Sequence, residues 1–434
     1  MTDTWSNWSG SVTCTPQRIA MPASEAEVVA LIKQAALEQI SVRVAGTGHS
    51  FTPLCASNAL LVSLDGLQGL TPSPALPQLG GGSVAPADDS LPNLGRTREG
   101  YATFGAGTKL HQMGDPLWDA GLAMANMGDI DRQALAGAVS TGTHGTGPTL
   151  GSISTQAVGL RLLLASGEIV DCSAAQETEL FKAAQVSLGA LGIITQVTLR
   201  CLPAYRLHER TWVAGFDECM SQLDTLIANN RHFEFFWVPS EDVCAMKTLN
   251  PTTTETLESP NGAERPLCDQ PSVTGRLARY VREEKIDRSY RIFPSERNLK
   301  FNETEFAVPA ASGPDCLREI RQLMQRRYPA VLWPIEYRTL AADDIPLSPA
   351  YGRATVTISV HQAAELPYQP FFADVEAIFR NHQGRPHWGK IHTNTARELT
   401  ELYPAWGDFQ AVRAQVDPTG LFLNEHLRTI LIVA

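Results

Sequence analysis

The first part of the chain changes from a helical to an extended pattern of apolar positions. Residues 24–38, SEAEVVALIKQAALE, repeat apolar side chains at helical spacing, and Ser24 stands where an N-cap belongs. The apolar run SVRVA at residues 41–45 predicts a buried strand, which leads directly into the turn GTGHSF at residues 46–51. A second short strand is predicted in ALLVSLDGL, residues 59–67.

A polar stretch interrupts this pattern. Residues 71–98 are dense in Pro, Gly, Ser and Asp, which predicts an excursion outside the packed core. Order returns with a strand at residues 101–105 and a helix at 109–120, which Gly121 can end. Small residues, including four glycines, then fill the segment 134–147.

A change in the length and type of the predicted elements near residue 204 indicates a domain boundary. Before it, STQAVGLRLLLASGEIVDC predicts two strands joined by a turn at Ser166 and Gly167. A helix, a glycine-rich bend and a strand follow, and that strand ends near Leu202 and Pro203. Longer mixed elements come after Pro203, so we place the boundary there.

The second half of the chain predicts helices and strands of ordinary length. Apolar spacing favours a helix in ECMSQLDTLIANN, a strand in HFEFFWVP and a helix in DCLREIRQLMQRRY. A polar loop is predicted at residues 249–272. The last segment, from GRPHWGK onward, is short and rich in Pro, Gly and aromatic residues.

Length, charge and cysteine usage narrow the class of protein. A chain of 434 residues is too long for one simple core, so two or more domains are expected. The net charge of −11 gives no general attraction to nucleic acid or anionic membranes. There is no leader-like N-terminus and no run of about 18 apolar residues, so we expect a cytoplasmic protein without nucleic-acid or membrane partners. The eight cysteines lack C-x-x-C spacing and predict reduced thiols. The oligomeric state stays open.

Two glycine-rich segments, residues 46–50 and 140–147, suggest anion-binding turns. Without Cβ atoms the backbone can approach phosphate oxygens, and successive N–H groups can bind them. GTGHSF lacks the third glycine of a Rossmann fingerprint, and no G-x-x-x-x-G-K-[ST] occurs. One such turn alone is most often a tight bend. Two in one half of the chain, each with a central histidine, favour a long diphosphate ligand.

His49 and His144 are the central histidines. No carboxylate or cysteine completes a metal-ligand set with them, so no metal site is predicted. A reactive ring nitrogen beside a bound cofactor remains, and we interpret His49 as a point of covalent attachment.

Three motifs, GTGHSF, STGTHGTG and the C-terminal HWGK, occur in an order that resembles the vanillyl-alcohol-oxidase-type flavoproteins, specifically the sugar-1,4-lactone oxidases, which are related to the alditol oxidases. The resemblance runs from about residue 9 to residue 430. It implies an α+β fold: a two-subdomain FAD-binding domain at 13–204, an α+β cap domain over the substrate at 205–380, and a segment at 381–434 that returns to the flavin.

The resemblance also implies which residues surround the cofactor. In many members the histidine of the G-x-G-H-S loop is bonded to the 8α carbon of the isoalloxazine, so covalent FAD on His49 is expected. The other expected cofactor-binding residues are Gly46, Thr47, Gly48, Ser50, Phe51, Gly128, Ser140, Thr141, Gly142, His144, Gly145, Gly147, Ile193 and His387.

Glu336 and Arg338 lie two residues apart in IEYR. In an extended strand residues i and i+2 share a face, so both side chains can face one cavity. A surface ion pair is the alternative for an isolated E-x-R. In this family the motif lies in the substrate site, so the resemblance implies that the pair orients the substrate, with Glu336 as the proton acceptor.

Lys390, in HWGK, is the third catalytic candidate. Hydride transfer places negative charge on the N1–C2=O region of a flavin, and a fixed cation there stabilises the transition state. We assign that role to Lys390. A packed turn is the alternative interpretation; it accounts for Trp388 but leaves Lys390 unexplained.

The implied reaction is oxidation of a sugar 1,4-lactone, such as L-gulono-, D-arabinono- or L-galactono-1,4-lactone. Hydride passes from the substrate C–H to flavin N5, and O2 reoxidises the flavin with release of H2O2. Gly128 favours O2 as the acceptor, because in this family glycine beside the flavin admits oxygen and alanine often obstructs it. A plain turn glycine is the alternative.

Asp129, Ser359 and His361 are the expected substrate-binding residues. Alditol oxidases usually carry Ser in place of Asp129 and His in place of Ser359, which weakens a polyol substrate. His361 can contact sugar hydroxyls, although a structural histidine is about as common. Alternatives are an alditol (xylitol or sorbitol) or other carbohydrate oxidase, a lactone dehydrogenase with another acceptor, and a non-catalytic FAD- or carbohydrate-binding protein. A lactone hydrolase is disfavoured, since no G-x-S-x-G elbow or metal triad occurs.

Overall fold

A computed structural model describes residues 4–71, 99–255, 283–295 and 299–433. The strands in these ranges are β1 Trp5–Ser6, β2 Thr13–Cys14, β3 Arg18–Ala20, β4 Val42–Val44, β5 Leu60–Val62, β6 Leu70–Thr71, β7 Gly100–Gly105, β8 Leu122–Ala123, β9 Ala157–Leu163, β10 Ile169–Ser173, β11 Ile193–Pro203, β12 Arg206–Gly215, β13 His232–Val238, β14 Val243–Thr252, β15 Glu283–Arg288, β16 Phe301–Pro309, β17 Ile335–Leu340, β18 Thr355–Ala363 and β19 Arg385–Pro386.

The helices connect and cover these strands. They are α1 Glu25–Glu38, α2 Gly114–Asp119, α3 Leu135–Ser140, α4 Ile153–Gln156, α5 Thr178–Ala184, α6 Phe216–Asn229, α7 Ser289–Ile292, α8 Gly313–Arg327, α9 Gln369–Asn381, α10 Ala396–Leu402, α11 Trp406–Val416 and α12 Glu425–Leu431. Short 3₁₀ helices occur at Pro53–Cys55, Leu110–Gln112 and Ala310–Ser312.

Helix α1 confirms the first sequence prediction. The hydroxyl of Ser24 accepts from the backbone N–H of Glu27, and Gln39 ends the helix in a left-handed conformation. Such a cap satisfies backbone groups that the first turn leaves without partners. The helix buries Val28 and Ile32 against the strands that precede the glycine turn.

The N-terminal half forms two sheets. Strands β3, β5 and β4 make a three-stranded parallel sheet in the order β3-β5-β4. An antiparallel sheet has the order β10-β9-β11-β7-β6, with β8 also paired to β11. Both sheets share one large hydrophobic core. Sheet membership changes between Pro203 and Arg206, close to the boundary that the sequence predicts; the domain limits themselves stay a prediction.

The second half forms an eight-stranded sheet in the order β15-β12-β14-β13-β17-β18-β16-β19. Its alternating residues divide into two unlike faces. Phe235, Tyr337, Ile358 and Phe306 belong to an apolar core that helices α6, α8 and α9 cover. The opposite face is polar, since Glu234 pairs across the sheet with Arg338. This division follows from the period of two in a strand.

The C-terminal residues are built into the N-terminal half. The backbone N–H of Val42 donates to the carbonyl of Leu421. The buried Arg43 guanidinium donates to the carbonyl oxygens of Leu54, Leu188, Gly189 and Phe422. One side chain thereby joins three stretches of chain that are far apart in sequence. Helices α10 to α12 contribute to the same core as α1.

Several sequence predictions need correction. The loop predicted at 249–272 is wrong at its start, because β14 continues to Thr252 and pairs with β12 on one side. Cross-strand pairing here overrides the polar composition. The helix predicted at 109–120 is interrupted at Met113, although Gly121, with φ 72°, does end it. The strand predicted from residue 154 begins only at Ala157, after the short helix α4.

Other predictions agree or lie outside the described residues. The turn at Gly167 has φ 84°, as a glycine turn requires. The described cysteines carry free thiols, and Cys268 is not among them. The predicted excursion at 71–98 lies beyond the described ranges from residue 72 onward. None of the helices in the described ranges has the length and hydrophobicity needed to cross a bilayer.

Candidate functional site

The GTGHSF turn follows β4 and opens onto a cleft. Among the described residues, no acceptor is found for the backbone N–H groups of residues 46–50. Gly48 has φ 71°, and a Cβ there would lie 3.2 Å from the Cα of Asn7. Unpaired backbone donors in a tight glycine turn suit the oxygens of a phosphate-bearing group.

Small residues line the rest of this cleft, which we call the glycine-loop cleft. Its volume is about 120 Å³, and Ser140, Thr141 and Ile193 form part of its far wall. A Cβ added at Gly46 would lie 2.9 Å from the Cβ of Ala134, so a larger side chain would narrow the entrance. The unpaired donors and the small lining fit a nucleotide-type cofactor such as FAD.

The segment 140–147 has a different structure from the first turn. The backbone N–H groups of Thr141, Gly142 and Thr143 donate back to carbonyls of α3, so they are not available as an anion-binding turn. A Cβ at Gly145 would meet the carbonyl of Met127, and one at Gly147 would lie 2.7 Å from a backbone oxygen. These glycines permit close packing of main chain.

The same segment links the cleft to the eight-stranded sheet. The backbone N–H of Gly147 donates to the carbonyl of Thr339, and the hydroxyl of Thr146 donates to that of Phe233. His144 points toward the polar face of the sheet and contacts Glu305 at 2.7 Å.

His49 stands at the end of the glycine-loop cleft. Its ring stacks on Trp8 with centroids 5.5 Å apart. Burial lowers the pKa of His49 to about 4, helped by the positive charges of Lys390 and Arg132. The imidazole is therefore neutral at physiological pH, which leaves one ring nitrogen with a free lone pair.

The polar face of the eight-stranded sheet forms a second cavity of about 60 Å³, which we call the charged cavity. Cross-strand register brings its residues together: Glu336 lies opposite Ser359, Ser359 opposite Glu305, and His361 opposite Glu303. The charged cavity and the glycine-loop cleft share Gln133 in their linings, so the two spaces adjoin.

Glu336 and Arg338 do share one face of β17, and both line the charged cavity. Arg338 contacts Glu336 directly, donates to Glu234 at 2.7 Å and lies 2.9 Å from Asp129. The three carboxylates hold the pKa of Arg338 well above its usual value despite burial. A fixed guanidinium is the result.

Among the carboxylates of the charged cavity, Glu336 has a pKa close to neutral pH. Burial raises the pKa of Glu336 to about 7; Arg338 opposes this change, and the carboxylates of Asp129 and Glu234 support it. A group with this pKa can accept a proton near neutral pH.

Lys390 lies on the other side of the charged cavity. Its ammonium pairs with Glu303 and sits 5.1 Å from the centroid of the Phe51 ring. Burial opposes ionisation of Glu303, but Lys390 and His361 lower its pKa to about 2. A permanent anion therefore holds the lysine in place.

A second buried acid stands behind this pair. Burial opposes ionisation of Glu305, but the imidazoles of His144 and His387 keep its pKa well below the usual value. Ser359 donates to Glu305 at 2.8 Å, so its hydroxyl is turned to this carboxylate. Ser359 is not among the residues that line the charged cavity, whereas His361 is. The Nδ1 atom of His361 contacts the carbonyl of Pro334 at 2.9 Å.

Gly128 borders the charged cavity beside Asp129. A Cβ at Gly128 would lie 2.9 Å from the carbonyl oxygen of His144, closer than real side chains come. The backbone packing at this point excludes a side chain, whichever acceptor the protein uses.

Sequence reasoning missed several members of the charged cavity. Glu303 and Glu305 are two residues apart in FNETEFAVP, the same spacing that identified Glu336 and Arg338. Two acids on one face of a strand were a usable signal. Lys247 does not line the charged cavity but is buried beside Glu234 at 3.0 Å. No local pattern indicated it, because only the register of β13 and β14 places it there.

Comparison with known proteins identifies relatives along the whole chain. Residues 16–173 match a family described as FAD binding domain, and residues 197–270 and 269–430 match one described as D-arabinono-1,4-lactone oxidase. L-gulono-1,4-lactone dehydrogenase of Mycobacterium tuberculosis is 36% identical over 99% of this chain and 100% of its own length. L-gulonolactone oxidase of Bos taurus is 28% identical over 98% and 97%. Among solved structures, a cholesterol oxidase from B. sterolicum covers 99% of this chain and 96% of its own at 16% identity, with a TM-score of 0.81; this likeness concerns the fold.

Proposed function

Since this chain belongs to the D-arabinono-1,4-lactone oxidase family of FAD-dependent, vanillyl-alcohol-oxidase-type oxidoreductases acting on CH–OH groups, we propose that it oxidises a sugar 1,4-lactone such as L-gulono-, D-arabinono- or L-galactono-1,4-lactone. The observation that carries the proposal is the meeting of Glu336, Arg338 and Lys390 in one buried cavity that adjoins the glycine-loop cleft. FAD, when bound, accepts a hydride from the substrate C–H.

Arg338 and Glu336 handle the reacting alcohol. The three carboxylates that contact Arg338 also fix its position, so a lactone oxygen meets a preorganised donor. Glu336 accepts the hydroxyl proton as the C–H bond breaks, and its pKa of about 7 suits that role.

Lys390 stabilises negative charge that develops on the cofactor side of the cavity. The ion pair with Glu303 fixes the position of the ammonium, which also makes a cation–π contact with the Phe51 ring. Residues 46–50 together with Ser140, Thr141 and Ile193 would hold the cofactor. His387 and Gly128 border the charged cavity and would lie near the reactive end of the bound cofactor.

His49 is the expected point of covalent attachment. A neutral imidazole has the lone pair that a new bond to carbon requires, and the low pKa of His49 keeps it neutral. Acid denaturation followed by filtration tests this: yellow colour should stay with the protein, and release of free flavin would contradict covalent attachment.

O2 is the proposed acceptor, with H2O2 as the second product. The relatives include proteins named as oxidases and proteins named as dehydrogenases, so a peroxide assay distinguishes O2 from another acceptor. Gly128 lines the charged cavity, and the resemblance to oxidases that carry glycine at this position supports O2 as the acceptor.

The proposal is tested by peroxide production in air. Purified protein is assayed with L-gulono-, D-arabinono- and L-galactono-1,4-lactone beside xylitol and sorbitol. Peroxide from at least one lactone is expected. Peroxide from the polyols alone would replace the lactone by an alditol. Bleaching of the flavin by a lactone under nitrogen, without peroxide in air, would leave the substrate class intact and exclude O2.

A further inference from the structure

A third cavity adjoins the two already described. It has a volume of about 430 Å³ and we call it the outer cavity. It shares His49 with the glycine-loop cleft and Ile130 with the charged cavity. His49 therefore forms a wall between the proposed cofactor site and a space that the lactone reaction does not use.

The lining of the outer cavity differs from that of the charged cavity. Trp8, stacked on His49, supplies an aromatic wall, and Leu110 and Met127 are apolar. Arg132, Lys285 and Arg291 supply positive charge against two aspartates, in a protein whose net charge is −11. Arg132 is close enough to His49 to lower its pKa.

This combination selects a type of ligand. An aromatic wall binds a flat ring by stacking, and guanidinium groups donate to carbonyl or anionic oxygens. The volume falls in the range of small-molecule sites. A sugar lactone would find here neither the carboxylate at Glu336 nor the paired Arg338, both of which face the charged cavity.

We propose that the outer cavity binds a quinonoid oxidant, a planar ring with two conjugated oxygens, as a second electron acceptor. The inference rests on the proposed function, which supplies the electrons. The substrate alcohol loses two electrons and two protons to become a carbonyl. The quinone gains two electrons and two protons and leaves as the hydroquinone, so the oxidised cofactor is regenerated without O2.

Direct binding is the first test. 1,4-Naphthoquinone-2-sulfonate, an anionic quinone, is titrated calorimetrically into oxidised holoenzyme without lactone. Saturable binding to wild type is expected. Binding to Arg132→Glu should be weaker by about tenfold, because attraction between the sulfonate and the guanidinium is replaced by repulsion between the sulfonate and a carboxylate. Arg326→Glu is the matched control: it makes the same charge change on an exposed position of α8 and should bind as wild type. Glu336→Gln should also bind, since its side chain faces another cavity.

Reoxidation is the second test. Holoenzyme reduced with dithionite is mixed with the quinone or with O2, and the ratio of the two rates is compared between variants. The ratio should fall about tenfold in Arg132→Glu and by a smaller factor in Arg132→Gln, and this loss should diminish at high salt. Flavin content and melting temperature identify any variant that fails to fold, in which case Arg291→Glu replaces it.

The outcomes separate this inference from the proposed function. No saturable binding, or equal weakening in Arg132→Glu and Arg326→Glu, overturns the acceptor site. Binding lost in Glu336→Gln places the quinone in the charged cavity and overturns it as well. Failure of every lactone to bleach the flavin, with quinone binding intact, refutes the proposed substrate and leaves the outer cavity as an acceptor site.

Discussion

Replacing Asp129 by Asn should move the pH dependence of flavin reduction to lower pH. Asp129 contacts Arg338, and its charge is one of the causes that raise the pKa of Glu336. Asn keeps the shape and the acceptor oxygen but removes the charge. Glu336 then ionises more readily, and since the ionised form accepts the proton, reduction stays fast to a lower pH.

The size of the change follows from distance. Carboxylate oxygens of Asp129, Glu234 and Glu336 lie within 4.8 Å of one another. Two unit charges at that separation repel by about 3.5 kcal/mol at an effective dielectric constant near 20. Arg338 and Lys247, which contact Asp129, offset part of this repulsion. If about 1.4 kcal/mol remains, the midpoint moves from near pH 7 to near pH 6. At pH 6 the variant should be reduced about fivefold faster than wild type.

Anaerobic stopped-flow reduction at saturating lactone, from pH 5 to 9, measures this midpoint separately from substrate binding. Asp131→Asn is the matched control, because Asp131 is a neighbouring acid that lines the outer cavity and pairs with Arg132. Its profile should coincide with wild type. An Asp129→Asn midpoint that is unchanged or higher would refute the assignment of Glu336 as the proton acceptor.

Three further predictions concern the same cavity. Glu336→Gln should slow anaerobic reduction by roughly 10²- to 10⁴-fold and remove the limb near pH 7, as stopped-flow across the same pH range would show. Lys390→Met should slow reduction by roughly 10²- to 10³-fold at unchanged flavin content; a normal rate would remove Lys390 from the mechanism. Gly128→Ala should lower the free energy of unfolding by about 1–3 kcal/mol, because its Cβ meets the His144 carbonyl. The same variant should slow reoxidation by O2, because position 128 borders the charged cavity. Denaturant unfolding with no loss of stability would show that the backbone adjusts freely.

Local rules predicted much of the site from the sequence. Alternation in a strand placed Glu336 and Arg338 on one face, and glycine spacing identified the turn at 46–51. The same alternation, applied to FNETEFAVP, predicts that Glu303 and Glu305 share a face. Local rules could not say that this face meets Glu336, because the order of β17, β18 and β16 is set by long-range pairing.

The second glycine segment shows a different limit of sequence reasoning. Glycines at 142, 145 and 147 have the composition of an anion-binding turn, but the N–H of Gly142 donates to the Val139 carbonyl of α3 and that of Gly147 donates to the carbonyl of Thr339. Composition cannot distinguish a glycine that admits a ligand from one that admits another main chain. The two cases are distinguished only in the folded chain, where Gly145 packs against the carbonyl of Met127 and Gly147 against that of Arg231.

The bonds of Arg43 have a consequence for biosynthesis. The Arg43 guanidinium can donate to the Phe422 carbonyl only after Phe422 has been synthesised, 379 residues later. At ordinary rates of translation this takes roughly 20–75 s. Until then, the strand before the glycine turn has an unfilled edge and a buried cation without all its acceptors. Completion of the strand that precedes the glycine turn therefore depends on the segment that carries Leu421 and Phe422. A truncation that removes Leu421 and Phe422 would consequently act as a defect in cofactor loading.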